Sequence, residues 1–230
     1  MGLRRIIKNL VNSKKQNLPF LNESYSQEGE DLLLARIFEN QTDGFFVDVG
    51  ALHPQRFSNT FKFYKLGWRG INIDAMPQSM IEFNKIRPED INLEIPVSDK
   101  KEVLSYYIFN EPALNTFSKE MAEERSKKEI YNVQKVVDIE TRTLTDILDK
   151  YLPEGRAIDF LTIDVEGLDF QVLKSNNWEK YQPKMILLEN ELEIQEMIGS
   201  SIDLFMQEKN YQLYAKTVKT FFYKNKNFSI

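Results

Sequence analysis

The 230-residue chain contains no cysteine, which excludes disulfide scaffolds, thiolate nucleophiles and cysteine-ligated zinc. It has a single histidine, His53, so any metal ion would have to rest on oxygen ligands. No apolar run approaches the roughly 20 residues that cross a bilayer, and the start lacks the uninterrupted apolar stretch of a signal peptide. A cytoplasmic protein is expected. There is also no excess of positive charge: the formal net charge is −5, without long single-sign blocks, which makes nucleic acid a poor partner.

What is present is the mixture of a folded domain, 42% hydrophobic and 28% charged residues. The length suits one domain with a central sheet covered on both faces, and not a second full one. Residues 1–22 stand apart. Leu3, Ile6, Ile7, Leu10 and Val11 recur at helical spacing among Arg4, Arg5, Lys8, Lys14 and Lys15, with a loop at Pro19. Such a basic amphipathic helix either packs on its own domain or on a partner, or lies through residues 1–15 on the inner face of an anionic membrane.

In residues 23–230, Leu32, Leu33, Ile37 and Phe38 give the apolar face of a first helix, entered through Ser26 and the acids near Glu28 and Glu30. Short apolar runs at 45–49, 70–73, 91–95, 160–163 and 185–188 then read as buried parallel strands, each followed by helical spacing. This alternation predicts an α/β, Rossmann-like, doubly wound and mostly parallel sheet. The stretches 211–218 and 221–223 predict an antiparallel finish near the C-terminus. Residues 100–145 interrupt the alternation with strand-like 103–109, a loop, a charged helix over 119–129 and strand-like 133–139, an insertion expected near the site.

Ligands of open α/β sheets sit beyond the carboxyl ends of the strands. Acids gather there: Asp48, Asp74, Asp99 beside Ser98, Asp164 with Glu166, and Glu189. Like charges on one edge cost stability, which favours a functional reason for them. Gly50 permits a sharp turn after the first strand and a close approach to a ligand. Asp74, one βαβ unit later, can accept both hydroxyls of a ribose. Leu52 and Pro54 stand where a dinucleotide fingerprint needs glycines, so a nucleoside without pyrophosphate, as in S-adenosylmethionine, fits better.

The segments Ser26-Gln27-Glu28-Gly29-Glu30-Asp31, Val47-Asp48-Val49-Gly50-Ala51, Phe57-Ser58-Asn59-Thr60, Gly67-Trp68-Arg69-Gly70-Ile71 and Ile163-Asp164-Val165-Glu166-Gly167 together resemble the FkbM-like methyltransferases. His53 and Pro54 match as well, whereas Leu52 departs from the family pattern. The resemblance implies a class I methyltransferase architecture, S-adenosylmethionine as cofactor, O-methylation and a setting in polysaccharide or natural-product assembly. It further implies that Asp48, Gly50 and Ala51 line the methionine part, Asp74 with Ala75 the ribose, and Pro96, Val97 and Ser98 the adenine. Gln27 would reach the amino-acid end, and Asp164 and Glu166 would border the reaction centre.

A sugar hydroxyl needs a base to take its proton, and the candidates are His53, Asp164, Glu166 and Glu189. A divalent ion is not required on this reading; if one is held, Asp164 and Glu189 are its ligands. Arg56, Asn59 and Asn115 supply donors at the expected mouth, while Phe117, with Tyr106 and Tyr107, offers flat apolar surface for a small-molecule or glycan acceptor. Phe61, Phe63, Tyr64 and Trp68 are read as core. Two other readings stay open: an NAD-dependent nucleotide-sugar dehydrogenase or epimerase, and a binding module without turnover. Oligomeric state is left open.

Overall fold

The computed structural model describes residues 20–230. Most of the basic segment, residues 1–19, lies outside the described residues. Among the described residues no helix is long and apolar enough to cross a membrane.

Five parallel strands form the centre: β1 (Phe45–Val49), β2 (Arg69–Asp74), β3 (Ile91–Glu94), β6 (Phe160–Ile163) and β7 (Met185–Glu189). Every residue of β1 and β6 is buried, which is why these strands read as mostly apolar runs, broken only by Asp48 and Thr162, rather than as alternating ones. β8 (Tyr211–Lys216) and β9 (Thr220–Asn225) close the seven-stranded sheet in the order β3-β2-β1-β6-β7-β9-β8. The antiparallel strand is β9, which lies between β7 and β8 instead of at the margin.

One face buries Val47, Ile71, Leu161, Ile186 and Phe221 together with Leu144, Ile147 and Leu148 of α5 (Leu144–Tyr151), Val172 and Leu173 of α6 (Asp169–Lys174) and Met206 of α8 (Ser201–Glu208). The other buries Phe46, Phe160, Leu187 and Phe222 with α1 (Glu30–Ile37), Phe63 of α2 (Phe61–Lys65) and Trp68. Each large apolar side chain fully removed from water contributes roughly 1.5–3 kcal/mol. Phe61, Phe63 and Trp68 are buried, while Tyr64 is only partly so. In α1 the buried apolar residues are Leu34 and Ile37, followed by Phe38, and Leu32 and Leu33 are half-buried.

The buried start of α1 is acidic. Asp31 accepts the Ser24 and Ser26 hydroxyls and the Tyr25 amide, at 2.6, 3.0 and 2.8 Å. Glu30 accepts the hydroxyls of Thr217 and Thr220, at 3.0 and 3.1 Å, which ties α1 to the β8–β9 hairpin. Carboxylates at a helix N-terminus also meet its positive end.

α3 (Met80–Ile86) follows β2, and α7 (Ile194–Met197) follows β7. Between β3 and α5, β4 (Val103–Phe109) and β5 (Val133–Glu140) pair antiparallel as a separate two-stranded sheet. They carry a short 3-10 turn (Pro112–Leu114) and α4 (Lys119–Arg125) between them. The helix is shorter than the expected 119–129. The neck of this insertion is a bridge between Val97 and Arg142, held by Ser98 N–H to the Arg142 carbonyl and Arg142 N–H to the Pro96 carbonyl.

Candidate functional site

Successive strands run outward from β1 to β2 and β3 on one side, and from β6 to β7 on the other. The order reverses between β1 and β6, and this switch point is where an open sheet leaves a crevice. A cavity of about 380 Å³ opens there, lined by strand-end residues Gly50, Asp74, Ala75, Asp164 and Glu189 and by the insertion. That volume lies in the range of small-ligand sites.

Gly50 has φ +92°, and a Cβ there would fall 1.6 Å from the Asp164 carbonyl oxygen. The close approach that this glycine permits is therefore between the ends of β1 and β6, which sets the floor of the cavity. Three lining residues other than glycine also take left-handed backbone, Leu52 at φ 46°, Phe57 at φ 57° and Glu166 at φ 53°. Such strain persists where surrounding structure holds it, and it concentrates at functional sites.

Asp48 is not among the lining residues. It faces the Phe46 side of the sheet, in a polar row with Asn72 and Thr162 on neighbouring strands. Its carboxylate accepts the Thr60 hydroxyl at 2.8 Å. Thr60 in turn accepts from Arg87, a fully buried guanidinium that pairs with Asp90 at 2.8 Å. Burial pushes Asp48 up to about 6 against the opposing pull of Arg87. The row positions the cavity from beneath: Asn59, beside Thr60, donates to Thr162 at 3.0 Å and lines the wall.

Asp74 ends β2 at the cavity, where it accepts the amides of Leu52 and Met76, at 3.1 and 2.7 Å. Burial raises its pKa, with these amides opposing the shift. Ala75, Gln27, Asn59 and Val97 line the same space. Ala51, Pro96 and Ser98 do not: Ala51 packs on Met80 and Phe83, and Pro96 and Ser98 spend their backbone groups on the neck of the insertion. The third strand ends in Glu94, which accepts the Gln78 amide at 2.7 Å, and Ser98 and Asp99 lie beyond it.

His53 is also outside the wall. Its Nδ1 accepts the amides of Gln55 and Arg56, at 3.0 and 2.9 Å, and its Nε2 meets Glu82 at 3.2 Å. The lone pair that a base would use is turned into its own loop. Arg56, Asn115 and Phe117 do line the cavity, as do Asp74 and Tyr106. Arg56 pairs with Glu111 at 3.1 Å, Asn115 accepts the Phe109 amide at 2.8 Å, and Phe117 packs on Tyr106 with ring centroids 4.6 Å apart.

Asp164 and Glu189 project from the ends of β6 and β7, one position beyond the paired Ile163 and Leu188. Burial, the adjacent Glu189 carboxyl and the Glu166 and Asp169 charges push the Asp164 carboxyl well above the usual carboxylate range. Among the described residues no group of three or more His, Asp or Glu side chains is placed to hold a metal ion. Glu166 pairs with Arg125 of α4, and its backbone carbonyl accepts the Thr116 hydroxyl at 2.6 Å. Asp169 caps the turn between them by accepting the amides of Val165 and Gly167, at 3.0 and 3.2 Å, and burial raises it to about 6.

Arg125, Lys219, Thr220, Tyr131 and Glu111 are wall residues without any local motif, supplied by the insertion and the β8–β9 hairpin. Glu28 and Glu30 are legible in the first helix signature, but their place on the cavity comes from their bonds to that hairpin: Glu28 accepts the Lys219 amide at 2.8 Å. The set fits a cationic nucleoside. Asp74 can take ribose hydroxyls, Ile95, Val97 and Phe57 offer apolar surface, and Glu28, Glu30, Asp164 and Glu189 offer negative charge.

An open sheet of this order, with its cavity at the switch point and an acid closing the second strand, is the architecture of a class I methyltransferase. The family model described as the methyltransferase FkbM domain matches residues 48–213, and the chain belongs to that family. Over 78 residues it is 35% identical to "Methyltransferase sdnD" of Sordaria araneosa, a match covering 31% of this chain and 28% of that relative. The chain thus spans well under a third of the length of this curated relative. No solved structure matches it significantly.

Proposed function

We propose that the protein transfers the methyl group of S-adenosylmethionine to a hydroxyl oxygen, that of a sugar in glycan or polysaccharide assembly. The observation that carries this reading is the acid-lined cavity at the switch point, with Asp74 at its ribose end and the Asp164–Glu189 pair at the other. When bound, the cofactor supplies a methyl group already activated by a positively charged sulfur. Asp74 accepts the ribose hydroxyls, and Glu28 and Glu30 favour the cationic end. The cavity aligns the acceptor oxygen with the methyl carbon, and alignment alone can supply roughly 7–11 kcal/mol of the barrier. Asp164 and Glu189, with Glu166 beside them, receive the hydroxyl proton, a contribution of about 10² to 10⁴ in rate.

The acceptor's place is a second cavity of about 560 Å³, between α4 and the ends of β6 and β7. It shares Asp164, Glu166, Glu189 and Lys219 with the first. Tyr131 gives it a flat surface suited to a sugar ring.

Calorimetric titration with S-adenosylmethionine and, in parallel, NAD tests the assignment. Saturable binding of S-adenosylmethionine alone is expected. Binding of NAD alone would favour a nucleotide-sugar dehydrogenase, and binding of neither a module without turnover.

A further inference from the structure

We infer that the insertion, and not the end of β3, reads the purine base of the cofactor: Tyr106 and Phe117 form its stacking surface, and Asn115 donates a hydrogen bond to one of its ring nitrogens. The inference rests on the cofactor reading above.

β4 and the loop after the 3-10 turn run antiparallel, Tyr107 and Thr116 exchanging both backbone hydrogen bonds at 2.8 and 3.2 Å. That register sets Phe117 opposite Tyr106, and side-chain alternation turns Tyr106, Asn115 and Phe117 to one face. All three line the first cavity, and none lines the second. The Tyr106 and Phe117 rings pack with centroids 4.6 Å apart, and Ile95 and Val97 add aliphatic surface to the same cavity. Every base has a flat face that such a surface can cover, so stacking holds a base without choosing it.

The face lies beside Asp74. The Asn115 Nδ2 is 3.5 Å from the Met76 sulfur, and the Met76 amide donates to Asp74 at 2.7 Å. A base is joined to its ribose one carbon from the 2′-hydroxyl, so a ribose held by Asp74 brings the base within reach of Asn115. The strand end offers the base little: the Pro96 carbonyl and the Ser98 amide are spent on Arg142 at the neck of the insertion. Choice of the base therefore falls to a side chain. Asn115 is only 6% exposed, and the Phe109 amide, donating to Oδ1 at 2.8 Å, fixes which atom of its amide is oxygen and which nitrogen. The nitrogen carries two N–H groups, and a thioether is a weak acceptor, so Asn115 keeps a donor for a ring nitrogen. A buried donor without a good acceptor is costly, and a bound purine removes that cost.

The test is calorimetry of the whole protein with S-adenosylhomocysteine and with its 1-, 3- and 7-deaza analogues, in each of which carbon replaces one ring nitrogen. At least one analogue is expected to bind roughly 10- to 100-fold more weakly than the parent. Asn115→Asp keeps an oxygen for the Phe109 amide but removes the donor, and it should close that gap by weakening the parent. Asn115→Leu, which adds no charge near Asp74, should close it as well. Phe117→Leu removes stacking surface and no donor, so it should weaken parent and analogues alike and keep the gap. Lys128→Gln, on the second cavity, should leave all four affinities unchanged; thermal melting of each variant checks that it is folded. Equal binding of the parent and all three analogues, or a gap that survives both Asn115 substitutions, overturns the inference and leaves the cofactor assignment standing. No binding of S-adenosylhomocysteine removes both.

Discussion

Two groups of buried carboxylates occupy the same sheet and are treated in opposite ways. Asp90 and Asp48 face the guanidinium of Arg87, directly or through Thr60, and Asp159 at the amino end of the strands takes Lys184 at 2.6 Å and the Phe45 amide at 2.8 Å. Each of these acids has a cation, a hydroxyl or a backbone amide against it, and they fix strand ends and loops. Asp164 and Glu189 stand at neighbouring strand ends, and the lysine near Glu189, Lys219, is 3.8 Å from it and 3.3 Å from Glu191. Acids of the first kind tie down strand ends and loops, and those of the second line the cavities.

Substitution should separate the two groups. Glu189→Gln is expected to lower the methyl-transfer rate by about 10² to 10⁴ with little loss of stability, read as kcat against the melting temperature. Arg87→Met should do the reverse, leaving Asp90 and Asp48 buried without their cation. Urea unfolding should show a loss of about 3–5 kcal/mol.

A pH series sharpens the contrast. Asp48 and Asp169 are raised to about 6 in the folded chain, above the 3.8 of an exposed aspartate. Their stabilising contribution is fully present below the unfolded value and is lost as pH rises through the folded one. Unfolding free energy should therefore fall between about pH 4 and pH 7, on the order of 1–3 kcal/mol per group, and Asp48→Asn should flatten the curve. Asp74→Ala should weaken S-adenosylmethionine binding roughly 10- to 100-fold by calorimetry, the value of a hydrogen bond to a charged group. The smallest effect is expected of His53→Ala: an unchanged transfer rate and about 1 kcal/mol less stability, from the loss of two loop hydrogen bonds.

The sequence by itself determined the sheet. Runs such as 45–47 and 185–188 are apolar throughout because both faces are covered, and burial on both sides leaves a mark that no neighbour is needed to read. It also placed the acids at the strand ends, because the end of an apolar run is a local feature. What only the tertiary structure decided is what each acid touches. Asp48 and Asp74 lie on the same face of the sheet, yet Asp48, within its strand, meets Thr60, while Asp74, at the end of its strand, opens on the cavity. His53 turns its Nδ1 to two amides of its own loop. Arg125, Lys219 and Glu28 gained theirs from an insertion, a hairpin and a helix that meet only when the chain is folded. A side chain's chemistry depends on what stands within a few ångströms of it, and those neighbours come from segments more than a hundred residues apart.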